Sequence, residues 1–504
     1  MASASDDISD PKSTDQGGDE QISALDRRSL REIHEEIQET YAADDRPWVI
    51  GYSGGKDSTT ALQLIWYAIK GLSKEELTKP IYVISSDTLV ETPKIVNHIT
   101  STLKNVDEYA EKHNLPFTAK KVYPDVSDSF FVNLIGRGYP APNQTFRWCT
   151  ERLKIDPADE FIIDKVSEHG EVIVILGARK AESKTREQVM NLHSIEGSNL
   201  ARHSKFANAF VYTPIEDWLV EDVWDYLMQV DCPWGKDNRD LAALYQEADD
   251  ECPMVIDTST PSCGDSRFGC WTCTVVSEDK AMENMIDGGD AWMEPLLEFR
   301  DLLKATQDPE AKPTFREMKG RQFGRVKEKN NGSDGVIPRA YKFEFRKDLL
   351  RKLLQTECKV NERRDDSDEF DDDLELIRDD ELKEIRRLWR QEDADWEDSV
   401  PRIYREVKGE DLDWPHDDLG SFTADEARVL ERVCDDQNVP PQLVKKLLDL
   451  ERQHHGMKRR AAIYNKIDSV FKEDWRSAEE IAATIEGEDA DRWEYDVDLE
   501  DLVK

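Results

Sequence analysis

Trp48-Val49-Ile50-Gly51-Tyr52-Ser53-Gly54-Gly55-Lys56-Asp57-Ser58-Thr59-Thr60 decides how the rest of the chain is read. The apolar run at its start reads as a buried strand, and a glycine turn follows. From Thr59 to Lys70, Leu62, Ile65, Ala68 and Ile69 recur at helical spacing. Strand, turn and helix start together make an anion site. Free backbone N–H groups of the loop and first helical turn converge, and the helix dipole adds partial positive charge. Gly54 and Gly55 remove side chains that would hold a phosphate away from the backbone. Lys56 adds a full charge, and Ser53 and Ser58 add hydroxyl donors. The loop is not a Walker motif: the first glycine of that spacing would fall on Ile50, and Asp57 follows the lysine.

Outward from this stretch, Ile81 to Ile84 reads as a second strand ending in Ser85-Ser86-Asp87-Thr88, with Glu91-Thr92-Pro93 just beyond. A helix carrying Ile95, Ile99, Leu103 and Val106 comes next, then a strand near Phe117 to Val122. A further strand, Val172 to Leu176, runs into Gly177-Ala178-Arg179. Short apolar strands alternating with helices imply a parallel sheet covered on both faces, the α/β class. Ligands of such sheets bind beyond the carboxyl ends of the strands, so the Ser53 loop, Asp87-Thr88 and Arg179 should converge. Each has a plainer reading: Asp87-Thr88 as a helix cap, Arg179 and Arg186 as surface charges.

Gly177-Ala178-Arg179-Lys180-Ala181-Glu182-Ser183-Lys184-Thr185-Arg186 resembles the Gly-x-Arg-x-x-Glu-Ser-x-x-Arg segment of the phosphoadenylylsulfate (PAPS) reductase family. Ser53 to Ser58 resembles the pyrophosphate loop of the ATP pyrophosphatases, which cut ATP between its α and β phosphates. Asp87-Thr88 resembles the family's Asp-Thr-Gly strand end, with Leu89 in place of the glycine. Pro214-Ile215-Glu216-Asp217-Trp218 and Asp222-Val223-Trp224-Asp225-Tyr226 are similar to two further family stretches, the second read as a capped, aromatic-packed helix. The resemblance implies an adenine nucleotide α-hydrolase-like (PP-loop) fold. It also implies ATP with Mg²⁺ in the crevice, held by Ser53, Gly54, Gly55, Lys56, Asp57, Ser58, Asp87, Thr88, Gly177, Arg179 and Arg186, with Lys56 and Asp57 serving the chemistry.

Three thiols, Cys263, Cys270 and Cys273, fall within eleven residues, two of them in Cys-x-x-Cys, which is a compact multidentate site. Cys149, in Phe146-Arg147-Trp148-Cys149-Thr150-Glu151-Arg152, resembles the cluster cysteine of the iron–sulfur members of the family and is implied as the fourth ligand. All-cysteine ligation suits structural zinc or a 4Fe–4S cluster; the iron–sulfur relatives favour the cluster. Cys232 and Cys252 precede prolines and read as packing or loop residues, Cys358 and Cys434 as core.

The 504 residues allow two or three domains. No run approaches the roughly 18 apolar residues of a membrane span, and no signal pattern opens the chain, so a cytoplasmic protein is expected. Acidic residues number 108 against 68 basic, a net charge of −40 dispersed along the chain. That pattern suits a high-salt, halophilic cytoplasm, where screening weakens self-repulsion, and disfavours nucleic acid at low salt. One island runs the other way. Lys312 to Lys352 holds thirteen Lys or Arg against five Asp or Glu, with Phe315, Phe323, Tyr341 and Phe345 interleaved. It reads as a polyanion contact, or as a patch that pairs with the acidic body.

The organisation expected is an acidic disordered tail (1–24), a PP-loop domain (25–235) whose first helix runs from Leu25 to Tyr41, a Cys-rich segment (236–311) and the basic segment (312–360). An acidic linker with helices (361–420) and a helical module (421–504) complete it, the last with Val429, Leu430 and Val433 as packing residues. Taken together these features resemble the DndC family of sulfurtransferases from DNA phosphorothioation systems. That resemblance implies ATP-dependent adenylation of a DNA phosphate and its sulfuration. The partners it implies are DNA, a cysteine desulfurase and DndD- or DndE-like subunits. An ordinary PAPS or APS reductase is disfavoured, because no cysteine follows Cys434 to serve as its tail nucleophile. A tRNA thiolation enzyme and an ATP-sensing scaffold of a DNA-defence complex stay open.

Overall fold

The computed structural model describes residues 23–248, 269–319, 337–364, 373–412, 414, 424–437, 439–454 and 461–471. The tail at 1–22, Cys252, Cys263 and the centre of the basic segment, including Arg321, Arg325, Lys327 and Lys329, lie outside them.

A six-stranded sheet organises the first half of the chain. Its strands are β1 (Trp48–Gly51), β2 (Ile81–Ser86), β3 (Phe117–Val122), β4 (Val172–Leu176), β5 (Leu200–Arg202) and β6 (Ala209–Tyr212), in the order β3-β2-β1-β4-β6-β5. All pairings are parallel except β5 with β6. The expected PP-loop-like α/β fold is therefore present. Ile50 lies beside Val83 of β2 and Ile175 of β4. Connections run outward from β1 in both directions, so the chain order reverses between β1 and β4, and that switch point opens a crevice at the strand carboxyl ends.

Alternation along the strands builds two apolar faces. Trp48, Ile50, Ile173 and Ile175 join the large core beneath the helices Lys56–Lys70 and Pro93–His113. Val49 and Val174 turn to the opposite face, covered through Phe161 and Ile162 of the helix Asp156–His169.

Several local readings are corrected. The helix expected from Leu25 to Tyr41 is broken into Ala24–Arg27 and Leu30–Ala42, because Ser29 and Glu32 form a capping box that starts a new helix. The loop helix starts at Lys56, three residues before its apolar periodicity begins, which makes the Lys56 N–H one of the first-turn donors that have no acceptor within the helix. The short strands β5 and β6 were not read from sequence.

A second core draws on residues far apart in the chain. Val90, Phe130 to Ile135 and Trp148 meet Trp271, Leu296 and Phe299, then Leu349, Leu353, Ile385 and Trp389. The Cys-rich, basic and post-linker segments thus share one apolar interior with an excursion of the PP-loop region. Three aromatic side chains of the basic segment belong to this interior: Phe315, Tyr341 and Phe345 are only 3%, 1% and 6% exposed, and Phe323 lies outside the described residues. The Tyr341 hydroxyl lies 2.6 Å from Thr306 Oγ1 and accepts from the Ala141 amide. Arg346 pairs with Asp393 and donates to the Gly136 carbonyl, Lys347 pairs with Glu344, and Arg351 with Asp348. A nucleic-acid role for those three aromatics is therefore ruled out, since burial denies them to any base.

The C-terminal helices are Ala424–Asp436, Pro441–His454 and Ala461–Phe471, with Leu450, Ile463 and Val470 at their centre and Cys434 buried. Val429 and Val433, expected inside, are 56% and 52% exposed. Among the described residues no helix is long and apolar enough to cross a membrane.

Candidate functional site

The loop after β1 turns on Gly54, whose φ of 76° lies in the left-handed region open to glycine; a Cβ there would sit 2.7 Å from Ile99. Hydroxyls lock the turn from inside. Ser58 Oγ donates to the Gly55 carbonyl at 3.0 Å, accepts from the Ser53 amide at 3.3 Å and lies 3.1 Å from Ser53 Oγ. Gly55 caps the helix through its backbone with no side-chain cap, so the first amides have no capping side chain within the loop. These serine hydroxyls shape the loop as much as they offer donors.

The β4 end meets the loop, and Gly177 shows how closely. A Cβ on Gly177 would fall 2.5 Å from the Asp57 carbonyl oxygen and 2.7 Å from the Ser58 amide nitrogen. The β4 end lies flush against the helix N-terminus. Arg179, 5% exposed, donates from Nε to Asp57 Oδ1 at 2.5 Å. Asp57 Oδ2 lies 3.6 Å from Lys56 Nζ, so the carboxylate stands between two cations. Glu182 accepts from the Arg179 amide and pairs with Arg186 at 3.0 Å, fixing the segment that carries both arginines.

On the other flank, Asp87 accepts from the Leu89 amide at 3.0 Å and pairs with Lys121 at 2.8 Å. Leu89, where the resembling family has glycine, has a φ of 65°, so a leucine occupies a glycine conformation. The segment then bonds to the cysteine region. Glu91 and Cys270 form an antiparallel bridge, the Trp271 amide donates to the Val90 carbonyl, and Thr92 Oγ1 donates to the Gly269 carbonyl. Thr88 Oγ1 lies 3.5 Å from Cys270 Sγ. The stretch that follows the end of β2 thus also touches a thiol.

Cys270 and Cys273 share a turn closed by the Cys273 amide on the Cys270 carbonyl at 2.9 Å. Cys149 precedes the π-helical turn Thr150–Ile155 and packs, like Cys270, against the second core. Neighbouring side chains join the two segments: Trp148 stacks on Phe130, Phe131 meets Trp271, and Thr274 Oγ1 donates to the Pro142 carbonyl at 2.6 Å. Arg300, 1% exposed, donates to the carbonyls of Cys273, Val276 and Ser277 and fixes this turn. Burial pushes the Cys270 thiol up to about 12, against the pull of Lys154. It likewise raises the Glu91 carboxyl, whose partner Lys154 lies 3.7 Å away. Among the described residues no three His, Cys, Asp or Glu side chains are drawn together as metal ligands, Cys263 lying outside them. Of these thiols, Cys149 and Cys270 pack against the second core, and thiol donors as a class suit a soft metal or an iron–sulfur centre rather than a hard cation.

Sequence reading missed Tyr245, on the helix Asn238–Ala248. Its hydroxyl accepts from the Lys56 amide at 3.1 Å, and the Lys56 ammonium lies 5.0 Å from its ring centre. No local pattern marks it, because it arrives at the loop from 189 residues away.

Residues 47–276 match the phosphoadenosine phosphosulfate reductase domain. Match and sheet order together make this part of the chain PAPS reductase-like. Residues 425–472 match a small protein found in certain Dnd DNA modification systems. An uncharacterized protein of Methanocaldococcus jannaschii is 27% identical over 237 residues, covering 47% of this chain and only 38% of that relative. Candida glabrata FMN adenylyltransferase, solved with FAD and inorganic pyrophosphate, overlaps 48% of this chain and 68% of its own, at 14% identity and a TM-score of 0.27. The U34-tRNA thiolase NcsA of Methanococcus maripaludis, solved with its [4Fe-4S] cluster, overlaps 43% and 72%, at 13% identity and a TM-score of 0.22. Overlaps this weak carry no inference about chemistry.

Proposed function

We propose that the protein is an ATP pyrophosphatase-type sulfurtransferase of DNA phosphorothioate modification, similar to DndC. The observation that carries this reading is the Thr88–Thr92 stretch, bonded to the Cys270 turn at the edge of the nucleotide crevice. The match of residues 425–472 to a small protein of certain Dnd DNA modification systems supports a Dnd context.

In the proposed reaction a non-bridging oxygen of a DNA phosphodiester attacks the α-phosphorus of ATP and pyrophosphate leaves. A cysteine desulfurase would deliver the sulfur as a persulfide, a two-electron thiol reductant would bring it to the level of sulfide, and that sulfur nucleophile then attacks the DNA phosphorus. AMP departs carrying the oxygen. The loop amides and Lys56 would take the charge that grows on pyrophosphate, the principal electrostatic task of the first step. Arg179 holds Asp57 and so orients the first helical turn. Mg²⁺ would screen the phosphates, with Asp57 the adjacent carboxylate. Cys149, Cys263, Cys270 and Cys273 would hold a 4Fe–4S cluster, which when bound supplies a site for anionic sulfur next to the crevice.

The test is mass spectrometry of DNA nucleotides from cells lacking the gene and complemented with wild type or Lys56→Ala. Backbone sulfur should return with wild type alone. Backbone sulfur indifferent to the gene overturns the reading, and loss of thiolated tRNA nucleosides in its place selects the tRNA enzyme.

A further inference from the structure

Resting on that reading of the loop, we propose that Tyr245 is an internal competitor for the pyrophosphate cradle: its hydroxyl takes the place of a phosphate oxygen and must leave before pyrophosphate or the β,γ end of ATP can seat.

Three contacts place it there. The hydroxyl accepts the Lys56 N–H at 3.1 Å, one of the free donors of the first helical turn. It also closes the approach to the neighbouring glycine, since a Cβ on Gly55 would meet it at 3.0 Å. The ring lies 5.0 Å from the Lys56 ammonium, whose other near charge is Asp57 at 3.6 Å. Amide and ammonium of Lys56, the two groups best placed to receive phosphate, therefore both face the same tyrosine.

The helix that carries Tyr245 is tied down well away from the loop. Asn238 at its start exchanges hydrogen bonds with Gln63 and donates to the carbonyls of Leu227 and Val230. The Tyr245 ring packs edge-on against Trp224 at 5.2 Å. Retreat of the hydroxyl then needs a turn of one side chain, not release of the element. A phosphate oxygen is the better acceptor, because its charge strengthens the bond and meets the helix dipole favourably. Displacement on binding is downhill, yet the waiting hydroxyl weakens the net gain and hastens pyrophosphate release.

The experiment is titration of the full-length protein with inorganic pyrophosphate by calorimetry, comparing wild type, Tyr245→Phe and Lys56→Ala. Phenylalanine keeps the ring over Lys56 and the packing on Trp224 while deleting the competing acceptor. Tyr245→Phe should bind pyrophosphate about two- to tenfold more tightly, the range of one neutral hydrogen bond released from competition. Its affinity for AMP should not change. Equal or weaker pyrophosphate binding by Tyr245→Phe, with wild type binding and Lys56→Ala not, overturns the competitor role and leaves the loop assignment standing; weaker binding makes the hydroxyl a ligand to phosphate. Absence of pyrophosphate binding in both wild type and Tyr245→Phe overturns the two together.

Discussion

Replacing Gly177 by alanine tests whether the crevice is built by the close approach of β4 to the Ser53–Ser58 loop. The added methyl would lie 2.5 Å from the Asp57 carbonyl oxygen, 2.7 Å from the Asp57 carbonyl carbon and 2.7 Å from the Ser58 nitrogen. All three are backbone atoms, so no rotamer change relieves the clash. Ordinary contact is restored only if strand end and helix start separate by roughly 1 Å. Overpacking of this kind costs about 1–3 kcal/mol. The functional loss should be larger, because a displacement of about 1 Å at a positioned site reduces rate on the order of 100-fold. Gly51→Ala is the matched control: its methyl would meet the end of the Leu176 side chain at 3.2 Å, which can rotate away. Thermal denaturation gives the first quantity, pyrophosphate titration and ATP turnover the second. If Gly177→Ala kept wild-type affinity and turnover while Gly51→Ala behaved alike, the loop would owe nothing to the β4 contact.

Three further perturbations follow from the same geometry. Leu89→Gly removes a half-buried side chain but relieves a left-handed leucine, so its stability should stay within about 1 kcal/mol of wild type, whereas Val90→Ala next to it should cost about 2; a costlier Leu89→Gly, by denaturant titration, would mean the side chain outweighs the strain. Burial, and secondarily the charge of Lys236, pulls the His98 imidazole down to about 4 from 6.5, so the folded state disfavours its proton. This stabilising contribution is complete above about pH 6.5, fades as pH falls toward 4, and amounts to at most about 3 kcal/mol. His98→Gln should flatten the dependence of Tm on pH across that window, and an unchanged profile counts against it. Anaerobically purified protein should hold roughly four iron per chain, lost on replacing Cys149, Cys263, Cys270 or Cys273 by Ser but kept in Cys358→Ser; stoichiometric zinc without iron selects the structural-metal reading.

Parts of this protein whose signals are local could be read directly along the chain. The apolar runs of β1, β2 and β4, the Ser53 to Ser58 loop and the helical periodicities that follow depend on residues a few positions apart. Period 2 or 3.6 and the conformational freedom of glycine therefore expose them directly. The same reading placed Asp87, Gly177 and Arg179 at strand ends, because a parallel sheet leaves its ligands little choice of edge. Only the tertiary structure decided what those residues touch. It turned Arg179 onto Asp57 and seated Tyr245 on the Lys56 amide. It joined the Asp87 flank to Cys270 across 182 residues. It also reversed the meaning of three aromatics in the basic segment. Phe315, Tyr341 and Phe345 lie among charges in the chain, yet a core assembled from residues 90 to 403 encloses them. Charge pattern is a property of neighbours in sequence, whereas burial depends on which distant surfaces meet, and no window along the chain contains that information.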